Sequence, residues 1–235
     1  MNYDYMIEEE KLNAKEMFAP IFKFLLKIFI GTIVICGLGY LLQNIAGMDG
    51  TIIKGIIIFI IAIGFLVLIM EGNKLKSRSL TMGLLFDAYN LIKKERYKRA
   101  ENILDNSFMV SLNKAYKEPV KDESEKNLKK RLYIRYMELK TFILFNNFIE
   151  KGEEDIKQEL IIALDNIIKK ASEVNLNEKV ACAYANKAIV NLFIYEVRGL
   201  NDYKIVAKED YNKSIEYMTN KNIKQKLENR FKNIA

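Results

Sequence analysis

The fold is decided by two apolar stretches, IFIGTIVICGLGYLL at residues 28–42 and GIIIFIIAIGFLVLIM at residues 55–70. Neither stretch contains a charged residue. Each needs only a few flanking residues to reach the roughly 20 that a helix requires to cross a hydrocarbon core of about 30 Å. The sequence therefore predicts a transmembrane hairpin over residues 18–72, with helices at about residues 18–42 and 52–70.

The short connection and the surrounding basic residues predict how this hairpin lies in the membrane. Residues 43–51 carry glycines and an aspartate, which is a turn signature, and they are too few to form a domain. Both ends of the hairpin are therefore expected on one side. Basic residues concentrate at that open end, with Lys54 alone at the loop; they are Lys11, Lys15, Lys23, Lys27, Lys74, Lys76 and Arg78. The positive-inside rule then predicts a protein integral to the cell membrane with both termini in the cytoplasm.

Long basic side chains beside a membrane extend towards its surface, where anionic lipids attract them. Residues near the ends of the hairpin are therefore predicted to contact headgroups; they are Lys23, Lys27, Lys74, Lys76 and Arg78. Small residues let transmembrane helices approach closely. One such face in each helix predicts where the hairpin packs; its members are Thr32, Cys36 and Gly39 in the first helix and Gly55 and Ala62 in the second.

The rest of the chain predicts an all-α cytoplasmic domain over residues 79–235. Apolar residues recur there at helical spacing, and no stretch shows the two-residue alternation of a strand. The expected architecture is a soluble domain of antiparallel helix pairs, closed by a terminal helix at residues 220–234. Two charged segments interrupt the chain: residues 1–17 before the hairpin, and about residues 113–127, a predicted solvated linker.

The stretch LLFDAYNLIKKERYKRAENIL, residues 84–104, resembles a tetratricopeptide repeat. Ala88 matches the small residue of that family's first helix. Tyr97 and Ala100 match the aromatic residue and the alanine of its second helix. Two helices of a pair touch at these positions, which is why small residues occur there.

A later stretch, residues 184–218, resembles the same family or its Sel-like relative, with matching residues Ala188, Gly199, Ala207, Tyr211 and Ser214. The middle pair, residues 128–171, shares only the presence of two helices around Gly152. The resemblance implies a curved stack, a tetratricopeptide-like solenoid or bundle, whose inner face binds a peptide or protein segment. It implies no catalysis.

The composition excludes most catalytic classes. The chain has no histidine, which removes Ser-His-Asp triads, HExxH zinc sites and imidazole proton relays. Cys36 lies in the first apolar stretch and Cys182 in the distal domain, so no disulfide is expected. We therefore expect no catalytic, cofactor-binding or metal-binding residues, no cofactor and no enzyme activity.

The net charge of +7 fits an anionic membrane surface and nucleic acid equally well. Residues 129–136 interleave basic and aromatic side chains, as nucleic-acid-binding surfaces do. Tyr136, however, continues the apolar stripe of Leu128 and Leu132 and is expected to point inward. Nucleic acid is therefore not an expected partner; the bilayer and a protein or peptide are.

The leading hypothesis is a membrane-anchored scaffold or adaptor that binds a protein partner at the cytoplasmic membrane surface. Predicted contacts are polar residues on the first helix of a pair, namely Asn90, Lys94, Lys187 and Asn191. Asn90 and Lys94 are four residues apart, as are Lys187 and Asn191, so each two share a helical face. The alternative is a membrane-active protein, either a pore-forming homo-oligomer or a toxin-immunity protein, whose hairpin carries the function.

Overall fold

The computed structural model describes residues 14–44, 50–116 and 123–232. In that part of the chain the helices are α1 (Ala14–Asn44), α2 (Gly50–Lys93), α3 (Tyr97–Asn102), a π-helix (Ile103–Phe108), α4 (Met109–Ala115), α5 (Glu123–Lys151), α6 (Glu154–Ser172), α7 (Asn177–Arg198), α8 (Asn201–Tyr217) and α9 (Lys221–Phe231). These residues contain no strand, so the predicted all-α class is confirmed.

The chain divides into two compact units, with a boundary between Thr81 and Met82, inside α2. We call the described residues 14–44 and 50–81 the apolar unit. We call the described residues 82–116 and 123–232 the helical domain. Each has its own pattern of burial.

The apolar unit exposes the side chains that the sequence predicts for a membrane. Phe22 is 68% exposed, Phe59 67% and Met70 72%. Two helical stretches, starting at Phe24 in α1 and Ile57 in α2, are long and apolar enough to cross a membrane, and their apolar windows contain no buried residue. Side chains of this kind normally form the interior of a soluble protein.

Close approach between α1 and α2 occurs at Gly39. A Cβ atom at this position would lie 3.1 Å from Cδ1 of Ile57, so the contact leaves little room for a side chain. Thr32 and Ala62 are exposed, and a Cβ at Gly55 would meet nothing within 4 Å. The predicted packing role of small residues is therefore confirmed at Gly39 and not at these three; the side chain of Cys36 lies outside the described residues.

The second apolar helix does not end near residue 70 as predicted. α2 continues to Lys93 and includes the residues expected to separate hairpin and domain. That segment contains no proline, and Lys and Leu are good helix formers. Gly72 alone costs about 1 kcal/mol relative to alanine, which does not stop a long helix.

Two clusters of buried side chains form the core of the helical domain. The first joins the end of α2 to α3, the π-helix, α4 and α5; its fully buried members include Ala88, Ala100, Leu104 and Phe108. The second joins α5 to α6, α7, α8 and α9. Both clusters are packed against α5, because Tyr133, Tyr136 and Phe142 contact each of them.

The predicted linker at residues 113–127 is shorter than expected. α4 extends to Ala115, which is buried, and α5 begins at Glu123; residues 117–122 lie outside the described residues. Glu123 and Glu125 stand in the first turn of α5, where negative charge is favoured by the helix dipole. Dense charge thus starts a helix here instead of preventing one.

The terminal helix is confirmed as α9, which buries Leu227 and Phe231. Its N-cap is Asn220, whose side chain accepts hydrogen bonds from the backbone N–H groups of Asn222 and Ile223. The carboxylate of Glu178 in α7 accepts a further bond from the N–H of Asn220, at 2.8 Å. Residues 1–13 of the predicted charged segment (residues 1–17) and residues 45–49 of the predicted hairpin turn (residues 43–51) lie outside the described residues.

Two kinds of turn connect the helices of the domain. α5 and α7 end at Gly152 and Gly199, whose φ values of 67° and 70° are left-handed and favour glycine. The turns that follow α2 and α6 contain Glu95 and Asn175, both at φ 55°. In these turns the next N–H group bonds back five residues, for example from Arg96 to the Leu91 carbonyl at 2.9 Å.

Gly199→Ala is expected to destabilise the helical domain by about 1–2 kcal/mol, because a Cβ disfavours the left-handed conformation. The matched control is Gly83→Ala in α2, where a Cβ meets nothing within 4 Å and the backbone is helical; alanine there should stabilise by up to about 1 kcal/mol. The readout is the urea dependence of alkylation of buried Cys182 in the full-length protein with Cys36→Ser. Equal midpoints for the two variants would contradict the assigned turn.

Candidate functional site

A buried ion cluster connects α5 to α7. Lys179 Nζ lies 3.1 Å from Glu138 Oε1, and their side chains are 5% and 9% exposed. Arg135 Nη1 lies 3.1 Å from Glu138 Oε2. The carboxylate of Glu138 is therefore paired with two cations, which compensates the free-energy cost of burying its charge. The cluster fixes how these helices pack.

A small cavity lies beside this cluster. It is lined by Glu138, Lys179, Thr141, Cys182, Asn186 and three apolar side chains. Its volume is about 10 Å³, measured as the space open to the centre of a water molecule, which is close to the room that one water requires. The cavity is too small for an organic substrate.

A second buried cluster connects α6, α7 and α8. Asp210 is 4% exposed and accepts a hydrogen bond from Asn191 Nδ2 at 3.2 Å. Lys187 Nζ lies 2.7 Å from Asp165 Oδ1 and 3.9 Å from Asp210 Oδ1. Burial raises the pKa of Asp210, although the nearby charges of Lys187 and Lys213 oppose that rise.

The π-helix is attached to α5 through Asp105. Lys140 Nζ lies 2.8 Å from Asp105 Oδ2, and the Tyr136 hydroxyl donates to Asp105 Oδ1 at 3.2 Å. Burial raises the pKa of Tyr136 to about 12, with a further contribution from the Asp105 charge. The tyrosine therefore stays protonated as a donor at neutral pH. Its ring stacks on Phe108 at 5.4 Å, which confirms that it points inward.

These clusters join helices of the domain to one another. The described residues contain no group of three or more His, Cys, Asp or Glu side chains that could hold a metal ion. Cys182 is 3% exposed and packs as a small buried residue. The absence of enzyme activity stays a prediction.

The predicted partner contacts fall into two groups. Asn191 is 6% exposed, and Lys187 is half-buried between two carboxylates. These two do share a face, but that face is turned towards α8 and α6 and holds the domain together. Asn90 on α2 is half-buried, and Lys94, in the turn that follows α2, is exposed. Of the predicted contacts, an accessible surface therefore remains only at this second site.

The exposed surface around Asn90 and Lys94 includes residues that the sequence analysis did not single out. Phe86 lies four residues before Asn90 and is 53% exposed. Gly83 lies one turn further back, and a Cβ there would meet nothing within 4 Å. We call Gly83, Phe86, Asn90 and Lys94 the α2 outer face. The sequence pattern that could have revealed this face is the set of α2 positions opposite the buried stripe.

Four cations lie together where α2 meets α3: Lys94, Arg96, Lys98 and Arg99, which we call the basic corner. All four are exposed. Among the described residues, no hydrogen bond or ion pair engages their side chains. By contrast, Lys140, Lys157 and Lys187 elsewhere in the domain each pair with a carboxylate.

The predicted headgroup contacts are only partly described. Lys27 and Lys76 are exposed and Arg78 is half-buried, whereas the side chains of Lys23 and Lys74 lie outside the described residues. No lipid is present to test these contacts, which stay predictions.

Comparisons of the chain with protein-family models, with curated proteins and with solved structures find no match. The fold places the chain in a general class, all-α with two helices that could span a membrane. The comparisons assign it to no family.

Asp210→Asn is expected to stabilise the helical domain at pH 7. Burial raises the pKa of Asp210 in the folded state above its value of about 3.8 in the unfolded chain. Below that pH the carboxyl is protonated in both states and does not change the free energy of unfolding. As the pH rises from there through the folded-state pKa, the folded state loses stability. Asparagine keeps the acceptor for Asn191 and removes the buried charge.

The test compares urea midpoints of the wild type and Asp210→Asn between acidic and neutral pH, with a pyridyl disulfide that labels Cys182 even in acid. The midpoint difference should grow with pH in favour of the variant. Asp87→Asn in α2 serves as the control, since Asp87 is exposed and lies outside this cluster. A variant less stable than the wild type at neutral pH would contradict this assignment.

Proposed function

We propose that this chain is a membrane-anchored helical scaffold: α1 and the first part of α2 anchor it in a bilayer, and the helical domain binds a protein partner at the cytoplasmic surface. The observation that carries the proposal is the exposure of the apolar unit's Phe, Ile, Leu and Met side chains. A soluble monomer rarely exposes a continuous apolar surface of this extent. A hydrocarbon environment removes that cost without any further protein.

The absence of buried residues in the two apolar windows favours this reading over a core helix of a soluble protein. A helix pairs the backbone groups of its interior with one another, as a lipid environment requires. α1 is 31 residues long, so at about 1.5 Å per residue it exceeds a hydrocarbon core of about 30 Å. The concentration of Lys and Arg at the open end of the hairpin supports the cytoplasmic orientation.

The turns of the helical domain support a repeated arrangement like that of tetratricopeptide proteins. The α5–α6 and α7–α8 connections both use a left-handed glycine, and the α2–α3 and α6–α7 connections both use a left-handed non-glycine residue with the same five-residue bond. Connections this short bring successive helices into antiparallel pairs. In such a stack, α9 covers the end of the last pair.

Binding is favoured over catalysis by where the polar groups lie. The polar groups of the Glu138 cluster are bonded to one another, as are those of the Asp210 cluster, and the cavity beside Glu138 is too small for an organic substrate. The exposed α2 outer face and the basic corner instead offer an aromatic side chain, an amide and several cations to a partner. Interfaces are typically dominated by a few such residues.

Protease added to inside-out vesicles is expected to digest the helical domain and leave a protected fragment containing residues 18–72. In right-side-out vesicles the domain should survive, because the bilayer separates it from the protease. Immunoblotting with tags at each end provides the measurement. Digestion of the domain in right-side-out vesicles would contradict the orientation.

Replacing residues 18–72 by an unrelated two-helix anchor is expected to preserve partner binding, since the scaffold needs attachment and not a particular hairpin. In-cell crosslinking from the helical domain, compared between the native and the exchanged anchor, provides the readout. If replacing the anchor abolishes the protein's activity in cells while the helical domain stays folded, the result would instead favour a membrane-active hairpin.

A further inference from the structure

We infer that the α2 outer face, together with the basic corner, takes an acidic segment of the partner protein that also carries an apolar side chain. This rests on the proposed function and names the chemistry of its partner. The occupant is a protein segment with carboxylates at one end and an apolar anchor at the other.

The cations of the basic corner are the reason for expecting carboxylates in the partner's segment. Lys94, Arg96, Lys98 and Arg99 are exposed and without ion-pair partners among the described residues. Glu95 is the acid among them, and its left-handed backbone, at φ 55°, sharply turns the chain at this corner. A cluster with this excess of cations attracts carboxylates and speeds their encounter.

The apolar part follows from Phe86. Phe86 is 53% exposed and lies on the helical face that also carries Asn90. Two turns of helix, about 11 Å, lead from Phe86 to the end of α2, and Lys94 follows in the turn. Gly83 leaves open space one turn before it, so an apolar side chain of a partner has room against the ring.

The orientation of the segment is set by Asp87. This exposed residue lies on the same face, beside Phe86 and away from the corner. It repels carboxylates at that end, so the partner's acids align with Lys94 and Arg96 and its apolar side chain with Phe86. Repulsion of this kind contributes to specificity as well as attraction does.

A second cationic surface provides a matched comparison. α9 carries Lys221, Lys224 and Lys226, and Lys221 and Lys226 are exposed. The apolar residues of α9, Leu227 and Phe231, are buried within the domain, so no exposed aromatic side chain of this helix accompanies its cations. The combination of cations and an exposed ring distinguishes the α2 outer face.

The test measures binding of a short fluorescent peptide of glutamate and leucine to the full-length protein in neutral detergent, by anisotropy. Lys94→Gln/Arg96→Gln is expected to weaken binding at least about tenfold, which corresponds to about 1.4 kcal/mol. Lys221→Gln/Lys226→Gln removes the same charge from α9 and should change binding less than about twofold. Phe86→Ala should weaken binding about tenfold, and Ile162→Ala, which removes a comparably exposed apolar side chain from α6, should not.

Three outcomes would overturn the inference. The first is no binding of the acidic peptide by the wild type, and the second is equal weakening by the two charge variants. The third is tight binding of phosphatidylglycerol vesicles that requires Lys94 and Arg96 and that the peptide does not displace, which would assign the surface to lipid. Urea midpoints of Cys182 labelling confirm that each variant is folded. None of these outcomes affects the anchor-exchange experiment, so a failure of this inference is distinguishable from a failure of the proposed function.

Discussion

The removal of the apolar unit from water is the constraint on which the account of this protein depends. Transfer of one Leu, Ile or Phe side chain out of water is worth about 1.5–3 kcal/mol. About ten such side chains, fewer than α1 and α2 expose, would outweigh the roughly 5–15 kcal/mol that stabilises a typical domain. Exposing this surface to water is therefore costly, and we propose that a bilayer, whose thickness the helices are long enough to span, removes that cost.

Within the helical domain, buried charged side chains have a structural role. Glu138 joins α5 to α7 through Lys179, and Asp210 joins α8 to α7 through Asn191. Removing Lys179 would leave the buried charge of Glu138 undercompensated and is expensive, so the Glu138–Lys179 pair helps to specify which helices pack. The exposed cations of the basic corner, by contrast, stay open to a partner.

Several features were predictable because they follow from local chemistry. Gly152 and Gly199 end helices because only glycine adopts left-handed φ values freely, and the buried stripe at Leu85, Ala88 and Ile92 follows from helical periodicity. The π-helix and the burial of Asn191 were not predictable. Each depends on partners distant in sequence: Asp105 of the π-helix bonds Lys140 of α5, and Asn191 bonds Asp210 of α8. Phe86 was not singled out, although helical periodicity places it outside the buried stripe of Leu85, Ala88 and Ile92.

The central claim is tested most directly by removing detergent from the full-length protein and following its size by chromatography with light scattering. The account predicts that the chain aggregates in plain buffer and is recovered in membranes when vesicles are added. A soluble monomer in plain buffer, with amide protons of residues 28–42 and 55–70 protected inside a protein core, would contradict it.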